Sequence, residues 1–192
     1  MLVSRSEGAR TVARGNGVID VTIEQHREER AAADAALAGK YMAFRLADEA
    51  YGVEIVKVRE IIGMTSITCI PRAPRFLRGV IDLRGKVIPV MDLRVQLGMT
   101  PAQPTDQSVI IVVQCVAGGG ALTIGVLVDQ VLEVRAIAAG QIAPVPSLGA
   151  GARDGAFILG IGRTDQGVVM LLDIGRLLSD ADARALDDAA AA

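Results

Sequence analysis

With 192 residues, 51% of them hydrophobic, the chain is long enough for one medium domain or two small ones around a generous core. Twenty Lys and Arg against 22 Asp and Glu leave a formal charge of −2, and aromatics are only 3%, so phosphate backbones, anionic lipid and single-stranded nucleic acid are poor partners. No apolar run reaches the ~18–20 residues of a membrane helix, because Asp129, Glu133 and Arg135 break the longest one, and Met1 to Arg14 has no apolar signal-peptide core, which reads as a cytoplasmic protein without direct membrane insertion.

Residues 1–39 read as a flexible tail, in which Gly, Ser, Arg and Asn punctuation gives way to Glu24–Leu37, a stretch with helix propensity but no wide apolar stripe. The only histidine, His26, lies there, so a Ser-His-Asp or Cys-His device would have to recruit the tail. Alternation over Tyr41–Leu46 predicts a half-buried strand, with a turn at Ala47–Ala50 leading into a second strand from Tyr51 to Ile55. Periodicity does not decide whether Val56–Ile62 is a helical turn or an extended strand. Ile67–Ile70 reads as a strand stopped by Pro71-Arg72-Ala73-Pro74, where missing donors forbid continuation of a ladder. A hairpin follows, Val80–Leu83 and Val87–Leu93 joined across Arg84-Gly85-Lys86, and Pro89 in its second strand predicts an edge or a bulge. Leu97–Asp106 is a Pro-containing connector.

The second half repeats this order. Val109–Val113 and Ala121–Val128 flank Gly118-Gly119-Gly120, which lacks the Lys-Ser/Thr of a phosphate loop and reads as a hairpin turn. Gly140–Gly155 is an exposed Gly/Pro-rich loop, Ile174–Leu178 begins a short C-terminal helix, and residues 181–192 are expected to fray. Tyr51–Ile61 matches Ile124–Val134 at an offset of 73 residues, whereas Phe76/Phe157, Gly79/Gly160, Val87/Val168, Asp92/Asp173 and Leu97/Leu178 share an offset of 81. An offset that grows between blocks kept in order marks a duplicated unit whose second copy has a longer middle loop. The expectation is two tandem copies of a small all-β module, about 40–98 and 107–180, each a five-stranded closed barrel.

Little in the chain promises catalysis. Cys69 and Cys115 lie in apolar runs and read as two reduced, buried thiols, with no zinc spacing and no cofactor motif. Carboxylates recur at matched positions, Glu60/Glu133 and Asp92/Asp173, so a two-carboxylate hydrolase is weighed against shared turn hydrogen bonds or solvated faces. Arg84, at the hairpin tip, either makes a charge-assisted contact with a partner or is a solvated tip residue paired with Asp82. Val58 and Glu60 fit either a core position and its rim or an interface.

Tyr51-Gly52-Val53 through Val58-Arg59-Glu60-Ile61, then Ile70-Pro71 and Pro74, then Gly79–Gly85 and Ile88–Arg94, taken in this order, resemble the CheW family of chemotaxis coupling proteins over about Lys40–Ser179. Asp82 departs from the family pattern, which usually has Asn before Leu-Arg-Gly; the long tail and the glycine-rich turn at Gly118 depart too. The resemblance implies two SH3-like five-stranded barrels and a non-catalytic adaptor. Its implied partners are the regulatory domain of a CheA-type histidine kinase and the cytoplasmic tip of methyl-accepting chemoreceptors, in receptor arrays. Carried over by motif, Val58, Glu60 and Arg84 are expected at a receptor-binding groove between the barrels, with Gly79 and Gly85 supporting its backbone. An adaptor of a non-flagellar chemosensory pathway is the alternative.

Overall fold

Strand pairing in the computed structural model, which describes Ala32 and residues 35–145 and 157–191, sorts the chain into two sheets. The strands are β1 (Gly39–Leu46), β2 (Glu49–Glu54), β3 (Val58–Gly63), β4 (Leu77–Leu83), β5 (Lys86–Asp92), β6 (Val109–Ala117), β7 (Gly120–Val128), β8 (Gln130–Ile137), β9 (Ile142–Ala143), β10 (Ile158–Thr164) and β11 (Gly167–Leu172). A 3-10 turn spans Ile55–Lys57, short helices α1 (Leu93–Gln96) and α2 (Ile174–Leu177) follow β5 and β11, and α3 (Asp180–Ala191) ends the fold. One sheet runs β8-β1-β2-β11-β10-β9 and the other β3-β6-β7-β5-β4, each curling into a barrel-like half as expected of an all-β pair of barrels.

The duplication is visible in the register. Gly52 pairs with Leu171 where β2 runs parallel to β11, and Gly125 with Val90 where β7 runs parallel to β5. These pairs are related by the same offsets of 73 and 81 residues read from the sequence. Both outer hairpins carry a bulge at the matching place, Leu77/Gly79 and Ile158/Gly160. The sheets, however, do not follow the consecutive halves 40–98 and 107–180. Hairpin β1–β2 completes the sheet of β8–β11, while hairpin β6–β7 inserts between β3 and β5.

This exchange explains the near-continuous apolar runs. Along β6, Ile110 and Val112 enter the core of one barrel with Ile81, Ile88, Val90 and Leu127, while Ile111, Val113 and Cys115 face a larger core between the sheets. Alternate side chains thus find apolar surroundings on both faces. The other barrel closes around Tyr41, Ile137, Ile142, Val169 and Leu171.

Four expectations meet different outcomes. Val56–Ile62 is both candidates in succession, a 3-10 turn and then β3. Pro89 is not on an edge: β5 lies between β7 and β4, and the missing donor is tolerated because pairing to β7 begins only at Val90. Ile67–Ile70 is not a strand but an irregular segment with a single bridge, Thr68 to Val80, which leaves Cys69 exposed rather than buried, while Cys115 is buried as expected. Residues 181–191 do not fray; they continue α3, whose Ala183, Leu186 and Ala189 recur every three residues on its buried face, with Leu186 and Ala189 docking on the central core. The expected tail falls almost wholly outside the described residues, as do positions 146–156 of the Gly140–Gly155 loop.

Candidate partner-binding groove

The chain crosses between sheets at Ile55–Lys57, from β2 to β3, and at Asp129, from β7 to β8. The second crossing is sealed. The Asp129 carboxylate accepts hydrogen bonds from the Ala47 backbone N–H (2.6 Å) and from Arg94 Nε (2.8 Å). Burial pushes this carboxyl up, but the hydrogen bonds and charge of Arg94 and the Ala47 N–H outweigh burial and hold it below its usual value.

The first crossing is open. Around it lies a groove of about 510 Å³ whose walls include Val56 and Lys57 from the 3-10 turn, Cys115 and Val116 from β6, Asp173 capping α2 and Arg176 within it. Val56 is 78% exposed and Val116 72%, unusual for large aliphatic side chains bordering one cavity. Lys57 Nζ lies 2.7 Å from Glu54 and 3.4 Å from Asp173; burial pulls its pKa down, but these two carboxylates raise it above its ordinary value. Arg59 donates to Gln114, and Arg176 lies 3.7 Å from Asp173. The groove is therefore apolar along its walls and cationic at its rim. Burial and the Asp173 charge push the Cys115 thiol up, Lys57 opposing, so it lines the groove as an apolar group.

Glu60 and Arg84 come together: the Arg84 guanidinium donates to Glu60 Oε1 at 2.7 Å, linking the β4–β5 tip to the edge strand β3. Asp82 is not the partner of Arg84; its carboxylate accepts the Gly85 N–H at 2.7 Å and so braces the turn. Arg84 has φ +56° and Gly85 φ +78°, the two-residue hairpin geometry in which Asn-Gly is the usual pair. An arginine 79% exposed in a left-handed conformation is held there at a backbone cost. Val58 is half-buried and packs against the central core, whereas its neighbours Val56, Lys57 and Arg59 reach the groove. Gly79 has φ +139°, and a Cβ there would be driven into the Thr68 carbonyl at the bridge that closes this barrel. Gly85 is needed for the turn alone, since nothing crowds it.

Sequence reading missed Val56 and Val116 because both sit in apolar runs that look like core; Val56 is turned outward at the crossing between sheets, and Val116 is exposed near the end of β6. Matched Asp92 and Asp173 cap α1 and α2, accepting from Val95 N (3.3 Å) and Gly175 N (2.9 Å). Each also faces a cation, Arg78 at 3.9 Å and Lys57, and Asp92 is only 3% exposed, so the pair serves the two helix starts rather than one hydrolytic site. Among the described residues no cluster suits a metal ion, and no helix is long and apolar enough to cross a membrane.

The family model for the CheW-like domain matches residues 40–182. The chain is 37% identical over 144 residues to the probable chemotaxis protein CheW of Rhizobium etli, covering 75% of this chain and 90% of that one. It is 32% identical over 149 residues to protein FrzA of Myxococcus xanthus, covering 77% and 89%. The scaffolding protein TtCheW from Thermoanaerobacter tengcongensis superposes with a TM-score of 0.64 at 37% identity, covering 73% of this chain and 92% of that structure.

Proposed function

Because the chain belongs to the CheW-like domain family, we propose that it is a non-catalytic chemosensory adaptor, coupling a CheA-type histidine kinase to the cytoplasmic tips of methyl-accepting chemoreceptors in cytoplasmic arrays. The observation that carries this reading is the groove at the open crossing, where Val56 and Val116 stay in water although most other valines of the described strands are buried or half-buried. An amphipathic helix laid along such walls removes apolar area worth roughly 25 cal/mol per Å². The cations at the rim favour a helix with carboxylates beside its apolar ridge. Glu60 and Arg84 form a second receptor contact beside it, and Val58 sets the backbone of β3 from beneath. Gly79 and Gly85 keep that hairpin in place.

Calorimetric titration into the kinase regulatory domain, and separately into a receptor-tip fragment, tests the reading with Arg84→Glu and Val56→Asp alongside. The expected result is kinase binding by all three proteins and receptor binding by the unsubstituted protein alone. A folded, unsubstituted protein that binds neither partner would end it. The likeness to FrzA supports a second reading, the same adaptor role in a non-flagellar chemosensory pathway, which the same titrations with that pathway's kinase and receptor would detect.

A further inference from the structure

One wall of the groove is an addition to the duplicated unit. Of the matched glycines in β2 and β7, Gly52 pairs with Ala43 and Gly125 with Val112, so the two hairpins span 52 − 43 = 9 and 125 − 112 = 13 positions. The β6–β7 hairpin is thus four residues longer. Leu46 with Glu49 is the last pair of β1–β2, whereas the matching pair, Cys115 with Leu122, is followed by Val116 with Ala121 and Ala117 with Gly120. Val116 and Ala121, which border the groove, are the first pair of this extension. The shorter tip is held by the Asp129 carboxylate, which accepts the Ala47 N–H. The position matched to Asp129 is 129 − 73 = 56, and Val56 has no acceptor to hold the longer tip.

Support comes from behind instead. Side chains alternate along the hairpin, so Val116 and Ala121 face the groove while Ala117 and Leu122 turn toward the central core, which Leu186 and Ala189 of α3 share. A cavity of about 100 Å³ separates tip and helix, its lining including Ala117, Gly118 and Leu122 on one side and Ala183, Arg184 and Asp187 on the other. At Gly118 the approach is close: a Cβ there would lie 3.1 Å from that of Ala183. At Gly119, also left-handed (φ +84° against +58°), a Cβ would meet nothing within 4 Å. The start of α3 is anchored apart from the tip, since Gln96 donates to the Leu177 carbonyl at 3.2 Å and to Asp182 at 3.3 Å. At the base of the extension, Gly175 of α2 packs so tightly on the Val116 carbonyl that a Cβ would come within 2.3 Å of it. Both C-terminal helices therefore hold the extension.

We propose that α3 is the brace of the groove: with Ala183 against the Gly118 turn, it keeps Val116 and Ala121 where a receptor helix meets them. Receptor affinity then depends on a helix that does not line the groove, with Ala183 and Gly118 as positioning residues. Linkage makes the effect reciprocal, so a receptor seated in the groove tightens the docking of α3 by the factor by which docked α3 tightens the receptor. The effect on affinity rests on the groove being the receptor site, as in the coupling role above, but the brace itself belongs to the free protein.

Hydrogen exchange on the full chain, with and without a receptor-tip fragment, and titration of that fragment test it. The fragment is expected to slow amide exchange in α3 by about fivefold or more, while β9, which does not line the groove either, exchanges as before. Gly118→Asn and Gly119→Asn put the same side chain on left-handed backbone, one against Ala183 and one in open space. The first is expected to weaken receptor binding by about fivefold or more and to speed exchange at Val116; the second does neither, and both bind the kinase regulatory domain unchanged. Ala183→Phe acts as Gly118→Asn does, and the glycine pair decides if that variant fails to fold. Equal effects of the two glycine substitutions, loss of kinase binding alongside, or α3 exchange indifferent to the fragment would overturn the brace and leave the adaptor reading intact. An unsubstituted protein that binds no receptor fragment ends the receptor reading instead, and the brace then stands or falls on exchange at Val116 in the glycine pair.

Discussion

Arg84 shows how one residue can be chosen against its own backbone. Its left-handed φ suits Asn far better, and its ion pair with Glu60 is exposed and worth little. Arg84→Asn is therefore expected to melt at or slightly above the temperature of the unsubstituted protein while losing receptor binding; a clear fall in melting temperature would show that the arginine serves the fold. Asp129 is the opposite kind of residue, internal in purpose. Its carboxyl has a depressed pKa in the folded state, so its contribution to stability is fully present above the ordinary carboxylate range near ~4 and is lost as pH falls through the depressed value. Asp129→Ala should cost about 2–3 kcal/mol at neutral pH by leaving Arg94 and the Ala47 N–H without their acceptor. Urea melts of both proteins should converge as the pH is lowered. The two residues were legible in the sequence to different degrees: Arg84 stood out between strands and beside a glycine, whereas Asp129 looked only like a charge interrupting an apolar run.

At the scale of elements, hairpins and repeats were legible because local chemistry makes them. Glycines between apolar runs gave β4–β5 and β6–β7, and the matched offsets reappear as matched registers. Partners of strands were not legible, since an alternating pattern says which face is apolar and not which neighbour covers it. The same gap hid α3. Its alanine-rich sequence carries Asp187 and Asp188 toward its C-terminal end, where the helix dipole disfavours them, so isolated propensity argues for fraying. Docking outweighs that tendency: Leu186 is fully buried, and Ser179 and Asp182 exchange backbone hydrogen bonds at the N-terminus in a reciprocal cap. Leu186→Ala is expected to destabilise the whole protein by about 2–4 kcal/mol. If the loss in denaturant melts were instead negligible, α3 would be a passive appendage.

At the scale of the whole molecule, two barrels would suggest two unfolding events, but the exchanged hairpins tie them together. β6 and β7 belong to one barrel and lead directly into β8 of the other, and the largest core draws on both sheets. A single calorimetric transition is expected for residues 35–191, with equal calorimetric and van't Hoff enthalpies; two resolved transitions would mean that the barrels melt independently. The exchange also bears on how the chain is made. Translation supplies residues in order, at ~5–20 per second, yet β3 and β5 remain without the hairpin that fills the gap between them until Val128 has been added, and β2 waits for β11 until Leu172. During that interval a nascent chain carries open strand edges that can pair with any similar neighbour. Protection of those edges during synthesis then bears on how much of the protein a cell obtains, beside the stability of the finished fold.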